Sequence, residues 1–282
     1  MKHIVRIFSK PAPNLTHLKL IAPQRFRGNP PFPNLIGLEF PKLRVLKVAG
    51  VEGWPEVVGT NLTHITINDS LNPWVLKDCI LYSRNLKALK IQGLCPFNKP
   101  ILSASQKIIL PPGVRLSIQR TQMCSHILAL FALPQDSFIK LNPSIIPAPN
   151  VSLLSYVLPT DISHLQNLHT IKRLHMKVYL GFYATLELKC FRLDQPAFEA
   201  DVSYSFESQT TFQHKTPPVM HFLRDLHQIV LRGVEELRME GFVGRLEPQE
   251  VELLAFLKRM PVLTRLVTTD GNEGHSALHW TA

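Results

Sequence analysis

The sequence predicts an α/β solenoid, with short parallel strands stacked side by side and helix-bearing connections between them. Three observations carry this expectation. Asn14-Leu-Thr-His-Leu-Lys-Leu, Asn61-Leu-Thr-His-Ile-Thr-Ile and Asn85-Leu-Lys-Ala-Leu-Lys-Ile are variants of one unit, apolar-x-x-apolar-x-apolar. Helical patterns lie between successive units. Each helix is followed by Pro or a short polar stretch and then by another unit, and a strand–loop–helix–loop–strand order implies parallel pairing.

The spacing within a unit has a physical reason. Its last two apolar residues are two apart, so they point to the same side of a strand, and the first fills the turn that leads in. One unit cannot bury its apolar face alone, whereas stacked units bury a continuous core. Strand cores of this kind are centred on Leu18, Leu46, Ile65, Leu89, Leu116, Ile139, Leu174, Leu237 and Leu266, at irregular intervals of 19 to 63 residues.

The helices come next. Trp74 to Tyr82 has helical apolar spacing with Pro73 in its first turn, where a missing N–H is tolerated. Gln122 to Phe131, Val219 to Ile229 and Glu250 to Met260 repeat that spacing. The widest interval between units covers 177–233. Within it, Thr185-Leu-Glu-Leu-Lys-Cys-Phe and Phe198-Glu-Ala-Asp-Val-Ser-Tyr-Ser-Phe alternate with period two, which predicts extra strands around 183–212, as a hairpin or as lengthened repeat strands. The expected plan is one irregular leucine-rich-repeat-like domain over 1–270. Its repeats are clearer over 11–145, an irregular insertion occupies 146–233, the last repeats fall in 234–270, and 271–282 is a tail. The competing plan is an ordinary α/β domain with Leu-rich strands.

Composition narrows the function. The chain has 282 residues, 45% hydrophobic and 18% charged, with a formal charge of +10. It contains no apolar run long enough for a membrane span and no secretory signal pattern. Residues 1–38 hold six Lys or Arg and no acid, which would also suit a mitochondrial transit peptide, but Asn14 to Leu20 already reads as a repeat. Cys79, Cys95, Cys124 and Cys190 form no CxxC pair and are expected as free thiols in an intracellular setting, cytoplasmic or nuclear. Four Asn-x-Ser/Thr sites therefore carry no weight.

No catalytic pattern emerges. There is no phosphate-binding Gly loop, no HExxH and no G-x-S-x-G elbow. His164, His169 and His175 lack the spacing of one helix face, so no metal, cofactor or catalytic residue is expected. The candidate site is a binding face. In stacked strands, the residue between each pair of core apolars faces out onto the concave sheet. Lys19, Lys47, Lys90, Lys140, His175 and Arg238 hold such positions, and Arg115 and Arg173 stand two residues before others. At about 4.8 Å between strands these form a basic stripe, which would suit an acidic peptide or protein surface. The plain alternative is that these lysines only solvate the sheet. A nucleic-acid-binding or purely scaffolding solenoid is the other class; the former would want aromatics among the basic residues for base stacking, and the outward positions hold none.

Leu43-Arg-Val-Leu-Lys-Val-Ala-Gly-Val-Glu-Gly-Trp-Pro, Asn61-Leu-Thr-His-Ile, Ser83-Arg-Asn-Leu-Lys-Ala-Leu-Lys-Ile, Val234-Glu-Glu-Leu-Arg-Met-Glu-Gly-Phe and Met260-Pro-Val-Leu-Thr-Arg-Leu-Val together resemble the repeat region of mushroom-type fungal F-box/leucine-rich-repeat proteins, over roughly residues 11–270. The resemblance implies a substrate receptor of a cullin-based ubiquitin ligase, in which an F-box docks on the adaptor and the repeats hold the substrate. This sequence departs from that pattern: residues 1–10 leave no room for an F-box before the first repeat, and no Leu-Pro-x-Glu-type opening is present. The expectation is a non-catalytic, monomeric protein-binding module: a truncated member, a misassigned gene product, or a relative working through its repeats alone.

Overall fold

The computed structural model describes residues 12–21, 40–50, 61–68, 73–93, 107–121, 124–143, 156–180, 183–205, 226, 231–241, 250–269 and 278–281. Its strands are β1 (His17–Ile21), β2 (Val45–Ala49), β3 (His64–Asn68), β4 (Ala88–Gln92), β5 (Ile108–Ile109), β6 (Arg115–Gln119), β7 (Phe131–Ala132), β8 (Phe138–Asn142), β9 (Arg173–Leu180), β10 (Tyr183–Arg192), β11 (Gln195–Ser205), β12 (Glu236–Glu240), β13 (Arg265–Thr269) and β14 (Leu278–Thr281). The helices are α1 (Pro73–Tyr82), α2 (Cys124–Leu128) and α3 (Glu250–Leu257), with a 3₁₀ turn at Gln166–Leu168.

Twelve strands form one mostly parallel sheet in the order β1-β2-β3-β4-β6-β8-β11-β10-β9-β12-β13-β14. All nine expected strand cores lie in these strands. Alternation sends one face of each strand inward. Leu46, Ile65, Leu89, Leu116 and Ile139 stand directly beside one another across five strands, and each is buried. Fully burying such a side chain contributes about 1.5–3 kcal/mol, so each added strand extends a continuous apolar row. Leu76, Cys79 and Ile80 of α1 and Cys124, Ile127 and Leu128 of α2 close over that core. Beyond it, β5 and β7 form a short parallel strip, extended by a bridge between Leu133 and Leu165.

The backbone repeats as well as the sequence. Before β2, β4, β12 and β13, an i→i+3 turn bond closes on the unit's first apolar residue: Leu43 to Phe40, Leu86 to Ser83, Val234 to Leu231 and Leu263 to Met260. One carbonyl ahead of each strand then accepts from the next repeat, as Thr16 does from Val45, Arg44 from His64 and Thr63 from Ala88. At the far end of the strand the chain turns through a left-handed residue. Gly50, Gly93, Arg120 and Gly241 all have positive φ, and each donates its N–H to the last residue of the neighbouring strand. Glycine reaches this conformation without steric cost, and Arg120 does not. After β8 the position is Pro143, which has no N–H to give. There the simple repeat ends.

The next three strands interrupt the expected parallel pairing and take the hairpin form of the extra strands. From β8 the chain passes over two strand positions to β9, and β10 and β11 then fill the gap in reverse order. The pairs β9–β10 and β10–β11 are antiparallel, while β11 on β8 and β9 on β12 restore parallel pairing on either side. The cause is local: only Leu193 and Asp194 join β10 to β11, and a two-residue connection permits only an antiparallel hairpin. These are the extra strands expected around 183–212, with 206–212 outside the described residues. The other corrections are smaller. The helix expected over 122–131 stops at Leu128, because Leu130 and Ala132 give their carbonyls to Ile108 and Leu110 across the β5–β7 strip. The expected tail contributes β14, paired antiparallel to β13. The helix expected over 219–229 lies outside the described residues apart from Leu226, which is buried.

Candidate functional site

The outward positions of the strands form the face opposite the core. Strand register places Lys19, Lys47, Thr66, Lys90, Ser117 and Lys140 in one row across β1, β2, β3, β4, β6 and β8. The row continues through Glu199 of β11 and Lys189 of β10 to His175 of β9 and Arg238 of β12. Six of the eight expected site residues therefore share this row. Arg115 and Arg173 stand two residues earlier on their strands, on the same face.

The row is not uniform. Among the described residues, the face over β1–β8 carries Lys19, Lys47, Lys90, Arg115 and Lys140 and no carboxylate. Among the described residues, nothing pairs with Lys19, Lys47 or Lys90. Lys140 is the exception, since its Nζ lies 3.2 Å from Glu199 Oε2. Arg115 lies over the Phe138 ring, 5.9 Å from its centroid.

From β11 to β13 every Lys and Arg on the face meets an acid, and His175 stands beside one. Lys177 Nζ is 3.0 Å from Glu240 Oε2, and Arg238 Nε is 2.7 Å from Glu240 Oε1. Glu236 lies 3.7 Å from His175 Nε2 and 3.4 Å from Arg265 Nη1. Lys189 is 3.4 Å from Glu187, and Arg173 is 3.1 Å from Asp194. The protonation equilibria register this crowding. Burial works against the charged carboxylate of Glu240, but hydrogen bonds and charge from Lys177 and Arg238 prevail and hold its pKa below the ordinary value. Burial, with Glu187 and Glu199 beside it, raises that of Asp201. Burial lowers the His175 pKa despite the pull of Glu236. Its ring also packs on Phe191, with centroids 4.9 Å apart.

Two features of this face go beyond the expected residues. Two of the paired acids, Glu187 and Glu199, come from the period-two stretches at 185–191 and 198–206. Applying the outward-residue rule to them would have placed Glu187, Lys189, Glu199 and Asp201 on the face. The second feature is a row of side-chain amides at the far end of the strands: Asn68, Gln92, Gln119 and Asn142, on consecutive strands in register. Gln92 Nε2 donates to Gln119 Oε1 at 2.9 Å, and Gln119 Nε2 donates to Ser117 Oγ at 3.0 Å.

Other reactive groups are placed apart from this face. The free thiols of Cys79 and Cys124 are buried, which pushes their pKa values up to about 12, and burial raises that of Cys190 as well. A thiol held protonated is a poor nucleophile. His164, 3.8 Å from Asp161, belongs to the opposite side of the core, beside the β5–β7 strip. Among the described residues, no group of three or more His, Cys, Asp or Glu is arranged to hold a metal ion, and no helix is long and apolar enough to cross a membrane. Compared with protein-family models, curated proteins and solved structures, the chain matches none of them.

Proposed function

We propose that this chain is a non-catalytic protein-binding module, a leucine-rich-repeat-like solenoid whose open sheet face grips an acidic surface on a partner protein. The observation that carries this reading is the acid-free lysine row on β1–β8. Parallel strands bring Lys19 and Lys47 side by side, about 4.8 Å apart at ordinary strand spacing. Like charges held that close are mildly unfavourable for folding. A sheet that needed only solubility could alternate signs, as this one does from β11 onward. Unpaired cations in a row attract an acidic partner from a distance and fix its orientation on contact. The in-order strands, the repeated turn bonds and the repeated left-handed exits support the solenoid assignment. The resemblance to F-box/leucine-rich-repeat proteins supports substrate recognition for ubiquitin ligation. Three buried free thiols suit an intracellular setting, cytoplasmic or nuclear, and no feature of the face requires a second copy.

The test is affinity purification of the full chain from its own cells, as wild type and as a Lys19→Glu/Lys47→Glu/Lys90→Glu variant that melts normally. The reading expects a specific protein to be retained by the wild type and lost by the variant. Ligase adaptor and cullin in the eluate would place the chain in a ubiquitin ligase. Equal retention by both chains contradicts the basic-face reading. A nucleic-acid reading has one observation in its favour, Arg stacked on Phe138 and on Phe191. It predicts a steep salt dependence on a nucleic-acid column.

A further inference from the structure

We infer that the ligand of this face is an extended acidic peptide segment that lies across β1–β8, its carboxylates on the lysine row and its main chain on the amide row. This rests on the reading above and adds the ligand's conformation, length and limits. The two rows lie on the same face, two residues apart along each strand; the amides occupy β3, β4, β6 and β8, and Ile21 and Ala49 hold that position on β1 and β2, so the rows run side by side over β3–β8. Side-chain carboxamides offer two donors and an acceptor, the complement of a peptide group. Among the described residues, Gln92 and Gln119 use only part of that capacity. Gln92 bonded to Gln119, and Gln119 to Ser117, hold the two central amides in place to meet a regular backbone.

The length follows from the sheet. Six strands at about 4.8 Å spacing span about 24 Å, which an extended chain at about 3.3 Å per residue covers in roughly seven residues. The far limit is set by charge. Beyond β8 the next residue in the row is Glu199, with Glu187 and Asp201 on the same face. An acidic chain is repelled there, so Lys140, already drawn to Glu199, marks the end of the groove. A polynucleotide fits less well: bases need aromatic platforms. The lysine and amide rows of β1–β8 have none, and the Phe138 ring is covered by Arg115.

The experiment measures anisotropy of a fluorescein-labelled decapeptide of alternating Glu and Ser on the full chain at low salt. A copy N-methylated at alternate main-chain amides and a ten-residue oligothymidylate are run in parallel. The expected result is saturable binding of the decapeptide that weakens at least tenfold in Lys47→Glu/Lys90→Glu. It should weaken several-fold in Gln92→Ala/Gln119→Ala and on N-methylation, and tighten several-fold in Glu199→Gln, which releases Lys140. If lysine reversal weakens binding while amide substitution and N-methylation do not, the extended-backbone inference is overturned and the basic-face reading stands. Tighter binding of the oligothymidylate overturns it in favour of nucleic acid. No decapeptide binding up to millimolar concentration overturns it too, and partner capture then judges the parent reading separately. Should the glutamine variant fail to fold, the N-methylated peptide decides the point on the wild-type chain.

Discussion

The two halves of the open face share one sheet and treat charge in opposite ways. On β1–β8, Lys19, Lys47 and Lys90 stand in a row with no acid on the face among the described residues. On β11–β13, Lys177 and Arg238 share Glu240, while His175 and Arg265 share Glu236. The second half resolves its electrostatics internally, and the first leaves them open. Core rows and turn bonds recur across the sheet, so neither the core nor the backbone demands this difference. Among the described residues, a stretch of sheet with unpaired lysines thus stands beside one whose Lys and Arg side chains are all paired on the face, and the proposed acidic partner would account for that contrast.

The difference can be broken most forcefully at the lysines. Reversing Lys19, Lys47 and Lys90 together should weaken partner capture roughly a hundredfold, if each reversal removes about 1 kcal/mol of attraction. Reversing Lys177, Lys189 and Arg238 instead should leave capture within a few-fold and lower the melting temperature, because each new carboxylate would face Glu240 or Glu187. Titration of captured partner and a thermal melt on each variant separate the two effects.

The shared backbone frame is the next lever. Gly241 has φ +77°, and a Cβ there would fall 2.3 Å from the Val178 carbonyl oxygen. Gly241→Ala is expected to cost about 2–3 kcal/mol, since strain and clash act together. Gly93→Ala, with φ 64° in the basic half, should cost about 1 kcal/mol. Arg120→Gly should stabilise by up to about 1 kcal/mol, because Arg120 already holds that left-handed position without being glycine. Urea denaturation ranks the three. Equal costs at Gly93 and Gly241 would remove the role assigned to Val178.

Much of this frame was legible in the sequence. Leu18, Leu46, Ile65 and Leu89 follow one short pattern, and each lies in a strand because alternation alone buries it. The order of β9, β10 and β11 was not legible. Period-two stretches announce strands, but pairing partners are set by connection length and by which edge is open. Of the site, the seven expected Lys and Arg residues and His175 do share one face. What the sequence left hidden was neutralisation: Glu199 is 59 residues from Lys140, and Glu240 is 63 from Lys177, so only the fold brings them together.

Acid sensitivity should belong to the paired half. Burial lowers the His175 pKa below its ordinary value of 6.5. In the window just under 6.5 the unfolded chain therefore binds more protons than the folded one, so stability falls as pH drops through it. The pKa of His164, on the other side of the core, is also lowered by burial and adds to the slope. The variant His175→Gln should flatten the fall in melting temperature between pH 7 and 5.5. An unchanged slope would assign the effect to His164 alone.

The smallest expected effect is the most diagnostic. Lys47→Glu places an acid beside Lys19 in the row. It should stabilise the fold by a few tenths of a kcal/mol, the usual scale for an exposed pair. The same variant should bind its partner worse, so stability and function would move in opposite directions. If Lys47→Glu destabilises, the lysine row is already neutralised by groups of the chain itself.

One measurement tests the central claim most directly: partner retained from native lysate by the wild type, by Lys47→Glu/Lys90→Glu, and by Lys189→Gln/Arg238→Gln, each confirmed folded by its melt. The account predicts retention by the wild type and by the third chain, and loss by the second. Loss by the third chain with retention by the second would contradict it.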